Sequence, residues 1–226
     1  MEELTPEILI EMYQEAEPYS SLPILDGLDD VDWGALEHAH GAAVDVPPLF
    51  RALFSENENH SDFACELLHE TIWHQGSIYE ASLAAIPFLF RFMESPRTNV
   101  RSCAASLLAA LADGSHYLKY LASDEADGEQ FWREILSEQG LDLEAEIAKE
   151  ARVVAAAKAT IGQDLHKIFA YIKDNEPEVR TYIAALFRFF ADRANDTIPL
   201  LKEALATEQD HWAKKTMLES LTLLSA

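Results

Sequence analysis

The chain has 226 residues, with 17 Lys and Arg against 40 Asp and Glu, a net charge of −23, and 49% of its residues apolar. This is the composition of a globular chain, not a disordered one, and so acidic a surface repels phosphate backbones and anionic membranes. The basic residues are scattered, so no nucleic-acid partner is expected, and no apolar run is long enough for a membrane span.

The N-terminal stretch "MEELTPEILIEMYQEAE" is acidic and lacks the apolar core of a secretory signal. A cytoplasmic protein is expected. Residues 4–16 predict one amphipathic helix, with Leu4, Ile8 and Met12 on one face. The following "EPYSSLPILDGLDDVDWGALEHAHG" is rich in turn residues and acids. Residues 1–44 therefore read as a cap over the next segment's exposed core, or as an arm that orders on a partner. "LDGLDD" lacks the ligand series of a calcium loop.

From residue 46 a unit recurs. Val46, Leu49, Phe50 and Leu53 make one face of a short helix. Ile86, Leu89, Phe90 and Met93 repeat it, as do Leu165, Ile168, Phe169 and Ile172. Ile198, Leu201 and Leu205 repeat it with Lys202 as the exception. "DVPP", "AIPF" and "TIPL" place a proline near three helix starts, where its missing N–H costs little. After short polar loops come second helices. Their stripes are Phe63, Ala64, Leu67 and Leu68; Val100, Cys103, Ala104, Leu107, Leu108 and Leu111; Val179, Tyr182, Ile183, Leu186, Phe187 and Phe190; and Ala213, Thr216, Met217, Ser220, Leu221 and Leu224.

The unit starts at 46, 86, 165 and 198 lie 40, 79 and 33 residues apart. The long gap predicts one further unit, from 116–123 and a long helix near 143–161, split by an acidic insertion near 124–142. No segment alternates over strand length, so no sheet is expected. A helix pair of this period buries its apolar face only by stacking on its neighbours. The expected fold is all-α: one domain over 1–226, an α-solenoid of about five helical hairpins over 45–226, with the N-terminal helical cap. Cys65 and Cys103 read as core thiols, with no disulfide expected.

"IPFLFRFMESPRTNVRSCAASLLAALA" and "LHKIFAYIKDNEPEVRTYIAALFRFFA" resemble HEAT repeats of the short kind named after phycobilin lyases. "HAHGAAVDVP" with "WHQGSIYEAS" also resembles a group of bacterial HEAT-like proteins. The resemblance implies a ladder between repeats, made by a loop acid and an arginine early in the second helix. Asp174 and Arg180 match it; Glu208 and Lys214 match loosely. Arg101 matches, but Ser95 replaces its acid, and Ser55 and Ser61 depart at both places. HEAT arrays mostly bind proteins and host few shared chemistries, so the resemblance implies little about function.

One stretch, "ETIWHQGSIYEAS", concentrates polar and aromatic side chains. Gly76 fits the residue just past a helix end, and Ser77 with Glu80 fits a capping box. Trp73, His74, Gln75 and Tyr79 are left over by that account, and with Glu80, His38 and His40 they form the candidate binding corner. Adjacent corners bring His38 or His40 towards His74. His69 and His74 in "HETIWH" are five apart, about 140° around a helix, which is not zincin geometry. No metal site and no cofactor are expected, and no nucleophile motif or phosphate loop occurs. The leading functional expectation is a non-catalytic scaffold whose acidic surface binds a basic protein, of inhibitor or immunity type. The alternative is an enzyme or small-ligand protein, lyase-like, using the corner. A HEAT-like DNA glycosylase role conflicts with the charge.

Overall fold

The computed structural model describes residues 5–115, 117–124 and 128–225. Leu4 and parts of the 116–123 unit and the acidic insertion lie outside the described residues. The described residues are mostly helical, and none of their helices is long and apolar enough to cross a membrane.

Helix α1 (Pro6–Ala16) starts with the Thr5 hydroxyl accepting from the Ile8 amide and with Pro6 in the first turn. Met12 and Ala16 are buried where α1 packs on α2 (Val46–Ala52). Between them run three 3-10 turns, and Trp33 from the third donates its indole N–H to the Leu28 carbonyl at 2.8 Å. Its ring packs against Phe50 and Phe88, so the N-terminal segment shares the main core.

Four helix pairs follow. The first is α2 with α3 (Glu58–Thr71), and the second α4 (Glu80–Phe92) with α5 (Thr98–Asp113). The third joins a 3-10 helix (Leu165–Lys173) to α9 (Pro177–Phe187), and the fourth α10 (Ala194–Leu205) to α11 (His211–Leu224). One core of buried side chains runs through all of them, from Met12 to Met217. Between the second and third pairs come α6 (Tyr117–Asp124), α7 (Gly128–Glu138) and α8 (Leu143–Asp164). They hold a small core of their own, with Ala122, Leu136 and Leu143 buried and Trp132 packed against them.

Helices α6 and α8 fall where a further unit was expected, but α5 also packs directly on α9. α8 instead lies along α4 and α5 and runs into the 3-10 helix. The acidic insertion contributes α7, whose Leu136 and Trp132 turn inwards. The prolines are corrected: Pro87 and Pro199 lie inside α4 and α10, since both helices begin earlier than the apolar pattern does.

Each pair closes with the same loop device. Ser55, Ser95, Asp174 and Glu208 accept a side-chain hydrogen bond from the amide two residues on. The two carboxylates do more. Asp174 takes a two-pronged bond from Arg101 at 3.0 and 3.1 Å, and Glu208 takes one from Arg180 at 2.6 and 2.7 Å. The guanidiniums also donate to the Ser95 and Asp174 carbonyls. The Arg180 bond holds the Glu208 carboxyl below its ordinary range. Lys214 makes no ion pair among the described residues.

The first and second pairs meet without such a rung. Ser61 stands where the other pairs carry Arg101 and Arg180, and it accepts instead from the Asn99 amide group. Arg97 completes this join by donating to the Phe54 and Ser55 carbonyls.

Glu208 is 7% exposed, so deleting its partner strands a buried carboxylate. Arg180→Ala should lower unfolding stability by about 3 kcal/mol. Lys173→Ala, at the exposed pair with Glu203, should change it by less than about 0.5 kcal/mol. Urea midpoints at constant slope measure both.

Candidate functional site

The corner stretch folds differently from a capped helix junction. α3 ends at Thr71, and Trp73–His74 (β3) pairs antiparallel with Ser77–Ile78 (β4). The two turn residues, Gln75 and Gly76, have φ of 50° and 94°, the left-handed pair that matches hairpin twist. Gly76 has the positive φ expected of it, but as a hairpin turn. The corner before α2 is built alike, with Glu37–His38 (β1) paired to Gly41–Ala42 (β2). These two-residue ladders are the turn geometry of two corners, in described residues that are otherwise mostly helical.

The capping assignment shifts too. Ser77 lies in β4, and the residue that organises the start of α4 is Ser82. Its hydroxyl accepts from the Tyr79 amide at 2.7 Å and donates to the Ile72 carbonyl at 2.5 Å, fully buried.

The corner residues do not form one constellation. His38 is buried and structurally committed: Nδ1 accepts from the His40 amide and Nε2 donates to Asp45 at 2.7 Å. The His40 and His74 rings do meet, with centroids 5.4 Å apart, and His74 bonds Glu70 at 3.1 Å. Gln75 is exposed at the hairpin tip. Tyr79 and Glu80 face a pocket of about 230 Å³ against α8, which His74 does not line. Burial pushes the Tyr79 hydroxyl up. Across this pocket Lys149 bonds Glu37, and the Glu150 carboxylate has one oxygen on the Leu118 amide and the other buried with no partner among the described residues. Trp73 turns the other way, onto His69. Among the described residues no group of three or more His, Cys, Asp or Glu is placed to hold a metal ion.

The larger feature lies on the far side of Trp73. The second helices α3, α5 and α9 line a groove of about 740 Å³. Its α3 wall carries Asp62, Glu66 and Glu70, four residues apart and therefore on one face, and Glu178 of α9 stands opposite. All four are exposed, and none pairs with Lys or Arg among the described residues. The α5 floor is small, with Ser102, Ser106 and Ala109. Towards one end the lining becomes Trp73, Tyr182 and Phe189. Apolar stripes do not disclose this wall, because its acids occupy the polar positions between them. The spacing Glu58, Asp62, Glu66, Glu70 was the available signal.

Two details of the groove bear on chemistry. The first is a disulfide between Cys65 and Cys103, with Cα atoms 5.8 Å apart, which corrects the expectation of free core thiols. Cys65 sits beside the stripe of Phe63, Ala64, Leu67 and Leu68, not within it, and so points from α3 to α5. The second is the pair His69–Ser106, at 2.8 Å. It has the elements of a base and a nucleophile, but the hydroxyl donates to the Cys103 carbonyl at 2.9 Å. His69 must then donate to Ser106, and nothing in that wiring draws a proton off the hydroxyl. Burial pulls the His69 imidazole below its ordinary range, against an opposing effect of Glu70.

No family model and no curated protein matches this chain. A crystal structure described as an engineered protein, a Northeast Structural Genomics Consortium target, matches 97% of this chain and 89% of its own at 19% identity. Its TM-score of 0.34 is too low to carry an argument about fold.

Ser82→Ala removes the partner of a buried amide and a buried carbonyl and should cost about 2 kcal/mol, whereas Ser77→Ala should cost under about 0.5 kcal/mol. Thermal or urea unfolding separates them. His69 sets a pH dependence. Because its folded form resists protonation, the unfolded chain binds more protons below about pH 6.5, and stability falls as the pH drops through that region. In His69→Gln that part of the slope between neutral pH and mild acid should vanish.

Proposed function

We propose that the protein is a non-catalytic α-solenoid of HEAT-like helix pairs whose groove binds a basic segment of another protein. Support for the solenoid comes from the recurring loop device, the arginine rungs at two joins and the continuous core. The observation that carries the binding reading is the acidic wall of Asp62, Glu66 and Glu70, facing Glu178, which meets no Lys or Arg among the described residues. Like charges four residues apart destabilise a helix, so α3 bears a cost that a cationic ligand relieves. The aromatic end of the groove suits a partner that also offers an apolar side chain. A basic toxin domain or a nucleic-acid-binding protein has the required surface, and neutralising one would be an immunity-type role. The direction of the His69–Ser106 bond argues against acyl-transfer chemistry.

A second reading places a small cationic ligand in the corner pocket, favoured by the Glu150 oxygen beside Tyr79 that has no partner among the described residues. It would appear as stabilisation by a small diamine that Glu150→Gln abolishes.

The groove is tested with an oligolysine peptide. Asp62→Asn with Glu66→Gln and Glu70→Gln should weaken binding by about tenfold or more and flatten its salt dependence. The control Glu129→Gln with Glu134→Gln and Glu138→Gln, on α7, removes the same charge elsewhere. Equal loss in both would mean that net charge alone attracts the peptide, and the groove reading would fall.

A further inference from the structure

We infer that the Cys65–Cys103 disulfide is a redox latch on the acidic groove, holding α3 in the position that binds a basic segment and releasing it on reduction. The inference rests on the groove reading proposed above and concerns how that same site is regulated.

Position carries the argument. The bond ties α3 to α5 across 38 residues of sequence. Both cysteines line the groove, and Cys65 is only half-buried, so a reductant reaches the bond from the binding face. Cys65 lies between Asp62 and Glu66, so the backbone that it fixes is the backbone that presents the acids.

The bond is also placed where nothing equivalent stands. The second and third pairs are joined by Arg101–Asp174, and the third and fourth by Arg180–Glu208. The first and second pairs have Ser61 and Ser95 at those positions. Only neutral acceptors meet Asn99 and Arg97 there, near the loop end. Further along α3, beyond the shared apolar core, the ties to α5 among the described residues are the disulfide and the hydrogen bond from His69 to Ser106. Loss of the disulfide therefore frees the acidic wall more than it frees any other part of the array, while α9 and α11 keep their rungs.

The chemistry is ordinary thiol–disulfide exchange with a dithiol. The reductant's thiolate attacks one sulfur and its second thiol resolves the mixed disulfide. Two electrons and two protons pass to Cys65 and Cys103, and the reductant leaves as its cyclic disulfide. The surrounding carboxylates repel an attacking thiolate, so a cationic thiol opens the bond faster than an anionic one at low salt. Linkage makes the effect reciprocal: a basic ligand that prefers the latched form makes the disulfide harder to reduce by the same factor.

The test compares oligolysine binding to the oxidised protein and to the same protein reduced with dithiothreitol. Reduction should weaken binding by about tenfold, and amide hydrogen exchange should quicken in α3 but not in α11. Cys65→Ser with Cys103→Ser should behave as the reduced form and ignore the reductant; should that variant fold poorly, the reduced wild-type chain supplies the comparison alone. Equal affinity in the two redox states, or two free thiols in protein isolated without reductant, overturns the latch. If oligolysine binds neither form, the groove reading fails as a separate matter, and unchanged exchange in α3 on reduction then overturns the latch by itself.

Discussion

Arg101 reaches Asp174 across 73 residues of sequence, and much of the architecture depends on that contact. A helix pair leaves an apolar face that it cannot bury alone, so it packs against whatever neighbour the chain supplies. The burial is non-directional and would accept several registers. A two-pronged guanidinium–carboxylate bond, nearly removed from water, accepts one. With α5 docked on α9 by this contact, the residues between them are left to form α6, α7 and α8 and must find their own cover. They do so through a small second core and by laying α8 along α4 and α5.

The same logic separates what the sequence discloses from what it conceals. The four apolar faces beginning at Val46, Ile86, Leu165 and Ile198 are readable because each stripe is made by neighbours three and four residues apart. The fifth pair was inferred from spacing alone, and spacing does not say which helix meets which; a contact 73 residues long decides that. The corner misled for a different reason. Gly76 after a helix and Ser77 before Glu80 satisfy the local rules for a cap, yet Gln75 also adopts positive φ, and the pair closes a hairpin. Ser82 takes the organising role because it is the hydroxyl that reaches both Tyr79 and Ile72, a fact of tertiary placement. The candidate site was legible only in part. His40 and His74 do meet, but Tyr79 and Glu80 share a pocket that His74 does not line, Trp73 turns the other way, and the groove wall was hidden in the polar positions between apolar ones.

The acids of this chain fall into two physical classes. Asp174 and Glu208 are consumed by the fold: each caps its own loop and binds the arginine of the preceding pair, so its charge is cancelled where it sits. Asp62, Glu66 and Glu178 are exposed with no basic partner among the described residues, and Glu70 bonds His74. A surface made acidic for solubility would be expected to scatter such groups. Here three share one helical face and a fourth stands across a concavity.

That concavity coincides with the join that the rungs leave out. A rung between the first two pairs would fix α3 permanently, and the serines at 55, 61 and 95 keep the loop hydrogen bonds while giving up the ionic one. Beyond the apolar core and the His69–Ser106 bond, the hold on α3 then falls to a covalent bond whose formation depends on the chemical surroundings, and to contacts near the loop end. An interface fixed by arginine and carboxylate responds to salt and to strong acid, whereas one fixed by cystine responds to thiols. The chain uses the first kind where geometry is to be constant, and the second beneath its acidic wall, so that the face carrying these acids is also the one whose position is conditional.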